Sequence, residues 1–416
     1  MNVKYNYKHI ISLFVFLFVI FTFLTSAFFG FSITIVTVFA LCWSVFYLIG
    51  SDFKNSFLNS IASKIYFLFI FFYFPISLIW TNSPNYGSQK LYIFLPLLMI
   101  SVVLGKVVVN HFVMFQKMYF YMFSYLILLL LIGDIFNTIS EIINSSGVGL
   151  QRFKLAQDEV NSSVVIGNFF AFSILVLSGF HTLNKNKSLM FINLFMILLA
   201  FIFLYYTGAR GPLVAMFSSL IIFKLLITKG KRFYWYLIFL ILIVIISTSV
   251  NLQNISSFLP NAMNSVFEKR YLDESSNASF IERIQHYSTT YNGIFNGSFL
   301  QLIFGHGMGD YSNLFLKMDQ KLYPHNLLFE LAYESGFLFL FLFIYLNIKI
   351  LIFNIRLNPK SNYRWLFIIY YFLFIRSMFS GDISGNFLVF SFLFFLLYLN
   401  TTKYFTENKE TFLQVK

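Results

Sequence analysis

The chain has 416 residues, of which 58% are hydrophobic and only 11% charged, with 60 Phe and a formal charge of +13. So little polar surface excludes an ordinary soluble protein and predicts an all-α polytopic integral membrane protein. The excess of Lys and Arg is scattered over short inter-helix loops, which fits topology control and not a nucleic-acid face, and the single Cys42 excludes an intrachain disulfide framework.

Apolar runs long enough to cross a hydrocarbon core of roughly 30 Å predict about twelve membrane helices. They fall at 10–26, 31–49, 65–80, 91–109, 118–136, 161–180, 189–206, 211–228, 233–250, 327–348, 365–380 and 387–399. The N-terminal Lys4 and Lys8 followed by an apolar run resemble a signal peptide, but a second span follows at once, so an uncleaved first helix is expected. Breakers stand where turns belong, at Gly30, Gly211-Pro212 and Gly381 to Gly385. The chain divides into helices 1–9 over 1–250, a large loop over 251–324, helices 10–12 over 325–400, and a tail over 401–416.

With the N-terminus in the cytoplasm, cytoplasmic segments hold 19 of the 29 Lys and Arg residues, while nearly all acids lie on the other side. The positive-inside rule then predicts cytoplasmic termini and an outer, periplasmic loop. His286, His306 and His325 all fall on that outer side.

Two constellations carry chemistry. The hairpin Tyr206-Thr207-Gly208-Ala209-Arg210-Gly211-Pro212 sets an arginine beside the first backbone N–H groups of a helix, a receptor for phosphate at the lipid boundary. An arginine reaching to the interface is the other reading of the same residue, and both stand. In the second, Pro324-His325-Asn326 opens a helix that carries Glu330 and Glu334 one turn apart. A neutral His325 there is a base for a sugar hydroxyl, and a carboxylate can orient it. Helix capping accounts for Asn326, and dipole pairing for Glu330, but neither accounts for Glu334 and the histidine.

Arg270 and Arg283 in the loop are further candidate anion ligands, with surface ion pairing the alternative. Arg376 and Asp134 are charges near the outer ends of predicted helices, and Arg376 is a candidate phosphate contact. The run Gly305-His306-Gly307-Met308-Gly309-Asp310 lacks the preceding strand of a nucleotide loop, and no histidine spacing predicts a metal site.

The Thr-Gly-Ala-Arg-Gly hairpin, the glycine-rich outer loop, Pro-His-Asn and Glu-x-x-x-Glu-x-Gly, in that order, resemble the O-antigen ligase and polymerase superfamily. An echo of an early-span motif lies at Ser77-Leu78-Ile79-Trp80-Thr81. The resemblance covers most of the chain and implies a GT-C-like membrane glycosyltransferase acting at the periplasmic face of the bacterial inner membrane. It implies a donor glycan on undecaprenyl pyrophosphate, no metal or other cofactor, and no nucleic acid. Membrane lipids, and in some members a chain-length regulator, would be its partners. It assigns pyrophosphate binding to Arg210, with Arg283, Arg270 and Arg376 as further contacts, and catalysis to His325 with Glu330 and Glu334. Asn326 would orient the acceptor.

Within the superfamily, ligases tend to show His-Asn, nine residues, Gly-x-x-Gly, Thr or Tyr. His325-Asn326 and Gly336 keep that spacing, but the last position is Phe339. Leu213 also falls one residue early for a ligase-like Arg-x-x-x-Leu at Arg210. These departures favour the polysaccharide polymerase (Wzy-type) over the ligase. A flippase or transporter is the third reading. It would show internal repeats and mid-membrane charges, and neither is evident in the sequence.

Overall fold

The computed structural model describes residues 7–29, 33–49, 61–132, 161–183, 186–207, 209–227, 274–357 and 361–414. All regular structure in these residues is helical, with no strand. The chain divides into two compact units. The first comprises 1–19, 33–112 and 282–416, and the second 20–32 and 113–281.

The first unit contains most of α1 (Tyr7–Phe29), α2 (Ile33–Ile49), α3 (Ile61–Leu68), α4 (Phe74–Ser77) and α5 (Pro84–Asn110). The second contains α6 (Phe112–Ile132), α7 (Asn161–Leu183), α8 (Lys187–Thr207), α9 (Arg210–Ile227) and the start of α10 (Glu274–Asn296). The first unit resumes with the rest of α10, then α11 (Phe299–Phe304), α12 (Tyr311–Leu316), α13 (Leu327–Arg356), α14 (Arg364–Ser377) and α15 (Phe387–Gln414).

By length and composition, α5, α13 and the 164–182 and 187–205 stretches of α7 and α8 are apolar enough to cross a membrane. Six shorter apolar helices accompany them among the described residues. The predicted helix at 233–250 and Asp134 lie outside the described residues. Where the large loop is described, from residue 274 onward, it is helical in α10, α11 and α12.

The core of the first unit is aromatic. Phe339 of α13 meets Phe74 edge to face at 4.8 Å and stacks near Tyr66 at 6.1 Å. Phe390 of α15 packs on Phe94 at 5.1 Å and on Phe343 at 5.6 Å. Offset and edge-to-face pairs of this kind add about 0.5–1.5 kcal/mol each beyond their area. The long run from residue 61 does not stay α-helical. Phe69–Tyr73 form a π turn in which the Phe74 N–H reaches back to the Phe69 carbonyl. Pro75, at the start of α4, supplies no N–H and its ring crowds the preceding turn, a common cause of such a widening. The widened turn brings the Tyr73 hydroxyl to the carbonyls of Phe304 and Ser335, the latter at 3.2 Å.

In the second unit, Tyr119 of α6 shares a 2.7 Å hydrogen bond with Ser173 of α7. The Arg210 turn packs on α7, where a Cβ on Gly167 would stand 2.8 Å from the Ala209 Cβ. Glycine therefore sets the approach of helix and turn.

Candidate active site

The site is built on a break in α13. Asn326 adopts an extended conformation, and its side chain accepts the Leu328 and Phe329 N–H groups at 3.0 and 3.2 Å. This satisfies two of the otherwise unpaired donors of the first turn, so Asn326 serves as the helix cap. The helix breaks at Gly336, which takes φ 73. The break leaves carbonyls without helical partners, and the glycine-rich loop supplies donors. His306 N–H donates to the Tyr333 carbonyl at 2.9 Å, and Gly307 N–H to the Glu334 carbonyl at 3.0 Å. A Cβ on Gly336 would lie 2.2 Å from the Ile303 carbonyl oxygen, and one on Gly305 2.3 Å from the Glu334 carbonyl oxygen. No side chain fits at either place. The Gly-His-Gly-Met-Gly run thus docks backbone to backbone against the broken helix.

Directly behind this joint lies a buried ion cluster. Lys90 Nζ stands 2.7 Å from Glu330 Oε1 and 2.8 Å from both oxygens of Glu334, with all three side chains fully buried. The Tyr86 ring lies 5.0 Å from the ammonium, and its hydroxyl donates to Asp382 Oδ2 at 2.8 Å. Asp382 Oδ1 accepts from Ser384 Oγ at 2.8 Å and from the Gly385 N–H at 2.7 Å, closing the turn between α14 and α15. Burial pushes the Asp382 carboxyl up, but Lys90 and these hydrogen bonds outweigh it and hold it below the usual carboxylate value. Glu330 Oε2 is buried with no hydrogen-bond partner among the described residues. Glu330 and Glu334, predicted to work beside His325, have three of their four oxygens on Lys90.

Three histidines belong to the region beside this cluster. His325 takes φ 57, a left-handed conformation uncommon for any residue with a Cβ. Its ring lies 4.5 Å from Tyr323 and 5.6 Å, edge to face, from His286. Burial, then the charges of Arg283 and His286, push its imidazole down to about 4, so it is neutral at pH 7. His286 is buried and shares a 2.6 Å hydrogen bond with the Tyr311 hydroxyl through Nδ1. Burial lowers its pKa, and Glu282 partly offsets this. His306 stacks on Tyr333 at 4.3 Å and stands 3.9 Å from Asp310, and burial likewise lowers it. Asp310 accepts the Tyr333 hydroxyl and the Asn82 N–H, both at 2.8 Å.

Two predicted arginines join this region. Arg376 is buried with its Nε unpartnered, and its charge, like that of Arg283, acts on Tyr323. Burial and the nearby acids push the Tyr323 hydroxyl up to about 12, with both arginines opposing. Tyr323 thus lies against the His325 ring, with the charges of Arg283 and Arg376 acting on it. Arg210 begins α9 in the second unit, and only its backbone is described. Arg270 lies outside the described residues. Among the described residues no three His, Cys, Asp or Glu side chains are grouped to hold a metal ion.

Sequence reasoning missed Lys90, Tyr86 and Asp382. Lys90 stands at the very edge of a predicted span, and the cost of a cation there was its only signal.

These features define a membrane-integral protein with a histidine- and arginine-bearing site at the head of a long apolar helix. Residues 195–344 match the family model described as O-Antigen ligase, which supports the resemblance to the O-antigen ligase and polymerase superfamily over that segment. The match spans Arg210, Arg270, Arg283, His325, Asn326, Glu330 and Glu334, whereas Lys90, Arg376 and Asp382 lie outside it. No curated protein and no solved structure matches the chain.

Proposed function

We propose that the protein is a glycosyltransferase of the periplasmic membrane face that polymerises oligosaccharide repeat units carried on undecaprenyl pyrophosphate. The observation that carries this reading is the neutral His325, held in a left-handed conformation against Tyr323 with the charge of Arg283 acting on it, inside the family-matched segment. In the reaction, His325 takes the proton of an acceptor sugar hydroxyl as its oxygen bonds to the donor's anomeric carbon. The bond from that carbon to the pyrophosphate oxygen breaks, and lipid pyrophosphate leaves with its added negative charge. Arginines are suited to that charge because their planar forks pair with phosphate oxygens in a water-poor site. Arg210, Arg283, Arg270 and Arg376 are the arginines proposed for it. The donor bond supplies the driving force, so the proposed chemistry calls for neither ATP nor a metal.

The second reading is an O-antigen ligase, which would transfer the same glycan to the sugar core of lipid A. It is favoured by the His325-Asn326 to Gly336 spacing, and Phe339 and Leu213 speak against it. Gene deletion followed by gel analysis of lipopolysaccharide separates the two. A core bearing a single repeat unit identifies a polymerase, and bare core with polymer stranded on the lipid carrier identifies a ligase. An unchanged ladder overturns both as O-antigen assignments.

A further inference from the structure

His286 is a buried histidine that takes no part in the proposed proton transfer. Its Nδ1 shares the short hydrogen bond with Tyr311, and Phe315 tilts against its ring at 4.3 Å. Its Nε2 faces the Glu282 carboxylate at 3.9 Å, one helical turn back and two-thirds exposed. Its backbone carbonyl accepts the Thr290 hydroxyl at 2.6 Å. His325 lies edge to face with the His286 ring at 5.6 Å, and the His325 ring also meets Tyr323 at 4.5 Å.

Resting on the glycosyltransferase reading, we propose that His286 is a positioning residue for His325: anchored by Tyr311 and Glu282, it forms one wall of the aromatic slot that holds the base. One tautomer suits the arrangement: with the proton on Nε2, on the side of Glu282, Nδ1 can accept the Tyr311 O–H in a neutral ring. A left-handed His325 needs such a wall, because its backbone offers no helical neighbours to lock its rotamer. A base displaced by about 1 Å costs a transfer reaction roughly 100-fold.

Protonating His286 would undo the arrangement. Its Nδ1 would become a donor against Tyr311, and its charge would join Arg283 in opposing a proton on His325. Burial and Glu282 on α10 set this titration, and the titratable groups against the ring are Tyr311 on α12 and His325 before α13. Both histidines must then be neutral for turnover, so the acid limb of log kcat should fall with a slope approaching 2.

The test uses full-length protein in detergent with a lipid-pyrophosphate-linked oligosaccharide as donor and acceptor, comparing wild type, His286→Phe and His286→Asn. The Asn amide oxygen can replace Nδ1 as acceptor for Tyr311 but carries no proton. His286→Phe should lose kcat by ~10–100-fold with KM for the donor unchanged. His286→Asn should recover to within ~3-fold of wild type, with the acid-limb slope reduced to 1. Wild-type kcat and slope in His286→Phe would overturn the proposal, as would a loss confined to the amount of folded protein with normal turnover per molecule. A wild type that transfers no glycan at all would instead overturn the functional reading on which it rests.

Discussion

Replacing Lys90 by Met isolates the energetics of the buried cluster. Methionine approximates the lysine stem and removes the ammonium, leaving Glu330 and Glu334 fully buried with no cation paired to them among the described residues. Removing one partner of a buried ion pair costs about 3–5 kcal/mol, because the remaining charge must lose its partner without regaining water. Two carboxylates share this lysine, so the upper half of that range, about 4–5 kcal/mol, is expected. For a domain of 150–250 residues each kcal/mol shifts the thermal midpoint by about 2–4 °C, so a fall of roughly 8–20 °C follows. Intrinsic fluorescence of the detergent-solubilised protein, which has 4 Trp, can follow the transition. The triple variant Lys90→Met, Glu330→Gln, Glu334→Gln should recover much of the loss, because amides are far cheaper to bury than unpaired carboxylates. A Lys90→Met midpoint equal to wild type would refute the assignment of this cluster as the lock between α5 and α13.

Three further outcomes follow from the same geometry. Gly336→Ala should abolish the folded state or its activity, since a Cβ there lies 2.2 Å from the Ile303 carbonyl oxygen, and limited proteolysis of the membrane-inserted protein reads this directly. Stability should fall with acidification: His325 is depressed to about 4 from 6.5, so the unfolded chain binds the proton first as pH drops. Its contribution is complete above about 6.5 and is lost down to about 4, with Asp382 acting in the same direction through its own lowered value, and thermal midpoints across pH 4 to 7 test the sign. Arg283→Ala removes a cation that disfavours a proton on His325, so the acid limb of activity should move to higher pH while donor KM rises.

The helices were legible because membrane spans advertise themselves by length. The runs read at 161–180 and 189–206 fall within Asn161–Leu183 and Lys187–Thr207, and 387–399 begins at the first residue of α15. Asn326 as a cap and Glu330 with Glu334 on one face also followed from local spacing. Lys90 did not, because its partners lie 240 and 244 residues away and nothing in local periodicity links them. Tyr86 and Asp382 escaped for the same reason. The glycine loop was recognisable as unusual, but its docking onto the carbonyls freed at Gly336 depends on a break that a glycine inside an apolar run does not announce.

The central claim is that His325 serves as the base in glycan transfer from lipid pyrophosphate. Its most direct test is single-turnover transfer by purified protein in detergent, comparing wild type with His325→Ala on a lipid-pyrophosphate-linked repeat unit. Longer lipid-linked oligosaccharide from wild type, with His325→Ala binding the donor but extending it at least about 100-fold more slowly, is the predicted result. Equal extension by both proteins would contradict it.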